Sequence, residues 1–320
     1  MSKILCIGDC CADILIPYGE AKANKATNIS IVGGGTTANT CSGLARLGLH
    51  PTILSNCGND QIGKKLKDEL ENDGADVSLL KLRDDIATPQ VLVIIDENKD
   101  RFPFLMPKVE EQLYVYPEDL TDNLLEEYDY IITTGFMFFD EGSAKPLCEF
   151  LKKANKHNIK VLLDANLRIE QTNLDKTYIM EAIKYTNYLL VSVQDDLLPL
   201  TNIVEPKEAA KSLVSDNRCV IARDGANGTT IYTKDEQYHQ DIFKVDVADS
   251  LGAGDAYNAG FLYALSKGKD LKQANKIACA VASLNITKPG ARNCPSEKEL
   301  LEYINCTQIW VQFFVTQSNR

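Results

Sequence analysis

Short runs rich in β-branched residues alternate along the chain with longer stretches whose apolar residues recur every three to four positions. The strand-like runs fall at 3–7, 52–55, 91–95, 130–133, 160–163, 188–191, 219–222 and 229–233. Helical periodicity covers 37–47, 63–73, 117–127, 143–157, 176–185, 206–215, 253–266, 271–285 and 296–304. From residue 120 onward, helices follow strands closely. That rhythm predicts βαβ units, and so a mostly parallel central sheet flanked by helices on both faces. No internal repeat, low-complexity tract or long linker breaks it, so one domain over 1–320 is expected.

Two stretches depart from the rhythm. Residues 13–32 follow the first strand without a helical period, and 89–106 alternate in part like a strand. They form either a small sheet of their own or edge strands of the main one.

Composition narrows the function. Forty-five acidic residues against thirty-four basic ones give −11. That argues against a nucleic-acid or membrane-surface partner, and leaves open a small anion held by a local positive site. No stretch is long and apolar enough to span a bilayer, and the apolar run 4–7 is too short for a signal peptide. Cytoplasmic residence is the expectation. Ten scattered cysteines without a Cys-x-x-Cys pair, and only three histidines, predict reduced thiols rather than a zinc site or disulfide framework. The tail 306–320 is apolar around Trp310, Phe313 and Phe314; it packs on the core, joins an interface or frays.

The densest chemistry is Asp249-Ser250-Leu251-Gly252-Ala253-Gly254-Asp255, which runs directly into the helical stretch 253–266. Glycines there let backbone approach a ligand. The N–H groups that open a helix bind anions, and the helix dipole assists them. A carboxylate in the same turn, Asp255, suits phosphoryl transfer to a hydroxyl. Upstream, Gly33-Gly34-Gly35-Thr36-Thr37-Ala38-Asn39 opens the helix that ends Ala45-Arg46-Leu47-Gly48. It lacks the lysine of a P-loop and the strand context of a dinucleotide fingerprint. Asn39 can both donate to and accept from hydroxyls.

Together these strings resemble the two signatures of the ribokinase-like (PfkB) carbohydrate kinases, over residues 1 to about 304. The resemblance implies a ribokinase-like α/β fold whose small β-sheet lid is built from 13–32 and 89–106. It implies ATP-dependent phosphorylation of a hydroxyl on a small sugar, fructose-like or a ketodeoxy sugar acid. A nucleoside or pentose kinase, or a non-catalytic sugar- or nucleotide-binding regulator on this fold, is the alternative. Carried over residue by residue, Asp255 becomes the catalytic base and Gly252, Ala253 and Gly254 the anion hole. Asp13, Gly34, Gly35 and Asn39 hold the sugar, with Arg101 on the lid and Arg168 of Asp164-Ala165-Asn166-Leu167-Arg168 facing substrate or phosphate. Arg223, Gly225, Gly228, Cys279 and Ala282 line ATP. Asp195 places Mg²⁺ through water, with Asp196 competing for the role, and Asp249 lies at a monovalent-cation site that fits K⁺. Thr37 stands where the family has a smaller residue or proline, and is expected to narrow the sugar pocket. A homodimer through the lid is also implied.

Overall fold

The computed structural model describes residues 2–17, 29–95, 101–105, 114–167 and 176–306. Nine strands form the main sheet: β1 (Ile4–Ile7), β4 (Thr52–Gly58), β5 (Leu80–Arg83), β8 (Tyr130–Thr134), β9 (Lys160–Asp164), β10 (Tyr188–Ser192), β11 (Cys219–Arg223), β12 (Thr229–Tyr232) and β13 (Gln237–Gln240). Their order is β13-β12-β11-β10-β9-β8-β1-β4-β5. Neighbours from β11 to β5 pair parallel, and β12 and β13 return antiparallel.

The strands are buried on both faces because alternate side chains serve two cores. Ile4 and Cys6 pack with Leu44, Phe261 and Val281 on one side. Leu5 and Ile7 pack with Leu147, Leu151 and Ile179 on the other. The first core is roofed by α1 (Thr36–Arg46), α8 (Ala253–Ser266) and α9 (Leu271–Asn285). Helix α8 is buried continuously from Ala256 to Ala264, which its run of apolar and small residues permits. The remaining helices are α2 (Gln61–Asp73), α3 (Leu124–Glu127), α4 (Glu141–Lys156), α5 (Thr177–Ile183), α6 (Leu198–Thr201), α7 (Pro206–Ser212) and α10 (Glu297–Cys306). Among the described residues no helix is long and apolar enough to cross a membrane.

A separate four-stranded sheet has the order β3-β2-β6-β7, with β2 (Cys11–Pro17), β3 (Ser30–Gly34), β6 (Gln90–Ile95) and β7 (Arg101–Leu105). One face packs Cys11, Leu15, Val91 and Val93 together. The two irregular stretches of the sequence therefore meet in one small sheet, not at the edge of the large one.

The expected helix over 117–127 splits into a 3₁₀ turn, Pro117–Asp119, and the short α3. Asp119 causes the break. Its Oδ2 accepts Asn56 Nδ2 at 2.8 Å and the Tyr116 N–H at 2.9 Å, which ties the chain into a tight turn. Strands β5 (LKLR) and β13 (QYHQ) escape a reading based on apolar runs because they are short, polar edges.

Candidate active site

Strands β1, β9, β10 and β11 run parallel and end together, delivering Asp9, Asp164, Ser192 and Arg223 to one edge of the sheet. Ligands of open α/β sheets bind beyond that edge. Helix α8 starts there. Its N-cap, Gly252, has φ +74°, and a Cβ at this position would overlap the Ala291 carbonyl oxygen, so only glycine fits. Asp249 holds the turn: Oδ1 accepts the Leu251 N–H at 3.0 Å and Oδ2 the Gly290 N–H at 2.8 Å. The first four N–H groups of a helix lack intrahelical carbonyls and carry the positive end of its dipole. The Gly252 and Gly254 amides thus stand at the end of the helix suited to an anion, while the Ala253 N–H lies 3.3 Å from the Ser250 carbonyl.

Asp255 lies in the first turn of α8, half-buried. Burial pushes its carboxyl up to about 8, with the Asp164 and Asp9 carboxylates adding to the rise. The Asn39 hydrogen bond and the Arg223 charge oppose it. Asn39 Nδ2 donates to Asp255 Oδ2 at 2.8 Å, joining positions 216 residues apart. A carboxylate poised near neutrality is suited to general-base work.

The glycine loop is built on Asp9, whose Oδ2 and Oδ1 accept the Thr36 and Thr37 N–H groups at 2.7 and 3.0 Å. This caps α1 and brings Asn39 to the site. Gly34 at the end of β3 abuts Asp13 of β2: a Cβ on Gly34 would lie 2.6 Å from the Asp13 carboxyl atoms. Asp13, Gly34, Gly35 and Asn39 therefore gather where the small sheet meets α1. Thr37, expected to narrow a sugar pocket, offers no exposed surface there. It is fully buried, its hydroxyl stacked over Gly8 and without a hydrogen-bond partner.

Arg223 is engaged inward. Its Nη2 and Nη1 donate to Asp164 at 2.6 and 3.1 Å, and Nη1 also reaches Asn258 Oδ1 at 3.2 Å and the Gly254 carbonyl at 3.4 Å. Asn258 Nδ2 completes the cluster at 2.7 Å from Asp164. Gly225 and Gly228 form the turn between β11 and β12, where Asp224 N–H meets the Gly228 carbonyl at 2.9 Å. Cys279 is buried on α9, its Sγ 3.7 Å from Asn275 Oδ1, while Ala282 is half-buried one turn on.

Asp195 and Asp196 separate cleanly. Asp196 is buried, and its oxygens accept the Ser192 and Leu167 N–H groups at 2.6 and 2.7 Å. Asp195 is exposed, 3.2 Å from the Ser192 hydroxyl. Arg101 begins β7, with its side chain outside the described residues, and Arg168 lies outside them altogether. So does most of the tail, 307–320.

Asp9, Asn258 and Arg292 fall outside the motifs of the sequence. The signal for Asp9 was its place directly after a buried strand. Arg292, two residues past Gly290, carries no motif of its own; it donates to Asn39 Oδ1 at 3.0 Å and to the Gly34 carbonyl at 3.1 Å.

A family model described as pfkB family carbohydrate kinase matches residues 1–299. A 5-dehydro-2-deoxygluconokinase of Bacillus licheniformis is 26% identical over 322 residues, covering 94% of this chain and 95% of the relative. A nucleoside kinase of Methanocaldococcus jannaschii is 28% identical over 309 residues, covering 94% and 96%. The ATP-bound crystal structure of a fructokinase from Xylella fastidiosa superposes with a TM-score of 0.83 at 21% identity, covering 96% of this chain and 99% of that one.

Proposed function

The chain belongs to the pfkB family of carbohydrate kinases, and from that footing we propose that Asp255 accepts the proton of a sugar hydroxyl as its oxygen attacks the terminal phosphorus of ATP. That the protein is an ATP-dependent kinase of a sugar-like alcohol follows from its family. The new O–P bond replaces the bond from that phosphorus to the β–γ bridging oxygen, and ADP leaves. Amides at Gly252, Ala253 and Gly254 hold the phosphoryl oxygens as charge develops. Arg223, beside Gly254, adds a fixed positive charge and props the turn rather than lying along ATP. Because such transition states are loose, positioning counts for more than deprotonation. The observation that carries this reading is the 2.8 Å bond from Asn39, in the glycine loop, to Asp255, at the anion-binding turn.

The sugar lies between the small sheet and α1, against Asp13, Gly34, Gly35 and Asn39, with the small sheet as its lid. Gly225, Gly228 and Ala282 are carried over for ATP; Cys279, in the packed interior, serves that side through packing. Magnesium, when bound with ATP, offsets phosphate charge. Asp195 fits it, being an exposed carboxylate just past β10, and Asp196, buried with both oxygens turned to backbone amides, does not. Potassium remains the candidate for the Asp249 turn: each Asp249 oxygen accepts a single amide, and the Pro289 and Gly290 carbonyls, each accepting Asn293 Nδ2 at 2.7 Å, keep a second lone pair for a cation.

A dimer through the lid has its own support. Ile31, Ile14, Leu92 and Phe104 are register partners in a row across all four lid strands. Ile31 and Phe104 are 40% and 52% exposed, an apolar stripe suited to a second copy. Ten free cysteines, nine of them buried, support residence in a reducing compartment such as the cytoplasm.

We take a fructose-like sugar or ketodeoxy sugar acid as the substrate. The similarity to a nucleoside kinase keeps nucleosides as the second reading. ADP release measured across ketohexoses, ketodeoxy sugar acids, pentoses and nucleosides decides between them: release with ketohexoses or ketodeoxy sugar acids supports the first reading, and release confined to pentoses or nucleosides replaces it.

A further inference from the structure

We infer that Arg292 is a positioning residue: it fixes the Asn39 side-chain amide in the one orientation that can donate to Asp255. An asparagine amide has an acceptor end and a donor end, whereas a guanidinium only donates. Arg292 Nε donates to Asn39 Oδ1 at 3.0 Å, so the Oδ1 end must face Arg292. The Nδ2 end then points at Asp255 Oδ2, 2.8 Å away. The flipped amide would set oxygen against carboxylate oxygen.

Arg292 is itself anchored from two further elements. Nη2 donates to the Gly34 carbonyl on lid strand β3 at 3.1 Å, and Nη1 lies 3.3 Å from Glu69 Oε2 on α2. Its side chain is 12% exposed. The loop that carries it also supplies the Gly290 N–H to Asp249, which holds the turn opening α8. One short loop therefore touches the lid, the sugar loop and the anion-binding turn. Through Asn39 it sets the hydrogen bond that steadies the ionised base.

The inference rests on Asp255 being that base. A hydrogen bond to the ionised carboxylate favours ionisation, so losing it raises the Asp255 pKa. The groups facing Asp255 are Asp164 from β9, Asp9 after β1, Arg223 from β11 and Asn39 from α1. Arg292 acts only through the last of these.

The test is the Asp255 carboxyl titration, followed by carbon-13 NMR and assigned by its loss in Asp255→Asn. It is read in the wild type, Arg292→Ala, Asn39→Ala and the double variant. Arg292→Ala is expected to raise the Asp255 pKa when Asn39 is present and to leave it unchanged in the Asn39→Ala background. In turnover, kcat/KM at pH 7 should fall about ten- to a hundredfold and recover in part at pH 9. Arg292→Lys, which keeps a donor, should lie between, and it stands in if Arg292→Ala fails to fold. An equal rise in both backgrounds would mean a through-space charge effect and overturn the relay, as would no rise at all. The titration needs no turnover. A shifted titration in a protein that phosphorylates nothing would overturn the kinase reading alone, and an unshifted one in an active enzyme would overturn the relay alone.

Discussion

Arg223 and Asp164 form a two-pronged ion pair beneath the start of α8, with Nη2 2.6 Å from Oδ1 and Nη1 3.1 Å from Oδ2. The side chains are 17% and 3% exposed. Removing one partner of such a pair strands a buried charge. Arg223→Met should therefore lower unfolding free energy by ~3–5 kcal/mol in urea titrations. Asp164→Asn strands the Arg223 charge in turn and should also destabilise, but less, because Asn258 Oδ1 and the Gly254 carbonyl still accept from Arg223. Equal stability of Arg223→Met and wild type would show that the pair is not structural.

Asp255 should cost the fold stability in a pH-dependent way. Its folded pKa, about 8, lies above the ordinary carboxylate value, so the folded state holds the proton more tightly than the unfolded one. Its contribution is most favourable below the unfolded pKa and is lost as pH rises through about 8. Asp255→Asn should consequently raise the melting temperature, little at pH 5 and more at pH 8, then level off. Melting curves of both proteins across that range check it; a gain that shrinks with pH contradicts it.

The same carboxyl shapes the rate. The pH dependence of kcat/KM reports groups of the free enzyme. It should climb with pH and flatten above about 8, where Asp255 is ionised. A limb that flattens near pH 4 would place the titrating group elsewhere.

The exposed apolar stripe of the small sheet can be tested separately. Phe104→Glu puts a charge in the apolar row that includes Ile31, Ile14 and Leu92. Sedimentation velocity should show wild-type dimers and variant monomers with unchanged folding. A monomeric wild type refutes the dimer.

The parallel sheet and the Gly252–Asp255 turn were legible because each rests on local pattern: buried β-rich runs, and glycines placed where backbone must bend. The small sheet was legible as two segments without helical period, although only pairing of β2 with β6 shows that they join. What stayed hidden depends on long-range contact. Asp119 breaks a helix through Asn56, sixty-three positions away. Arg223 reads as a nucleotide contact until Asp164 captures it. Thr37 reads as a pocket residue until Gly8 leaves room for it to be buried. Arg292 belongs to no motif, and its partners Asn39 and Gly34 lie some 250 residues upstream.

The most direct test of the central claim is phosphoryl transfer itself, followed by phosphorus-31 NMR with Mg-ATP and the preferred sugar of the screen. Wild-type protein should produce ADP and a sugar phosphate monoester in equal amounts. Asp255→Asn should do so roughly 10²–10⁴ times more slowly while still binding ATP. Near-wild-type transfer by Asp255→Asn, or ADP formed without any sugar phosphate, would contradict the account.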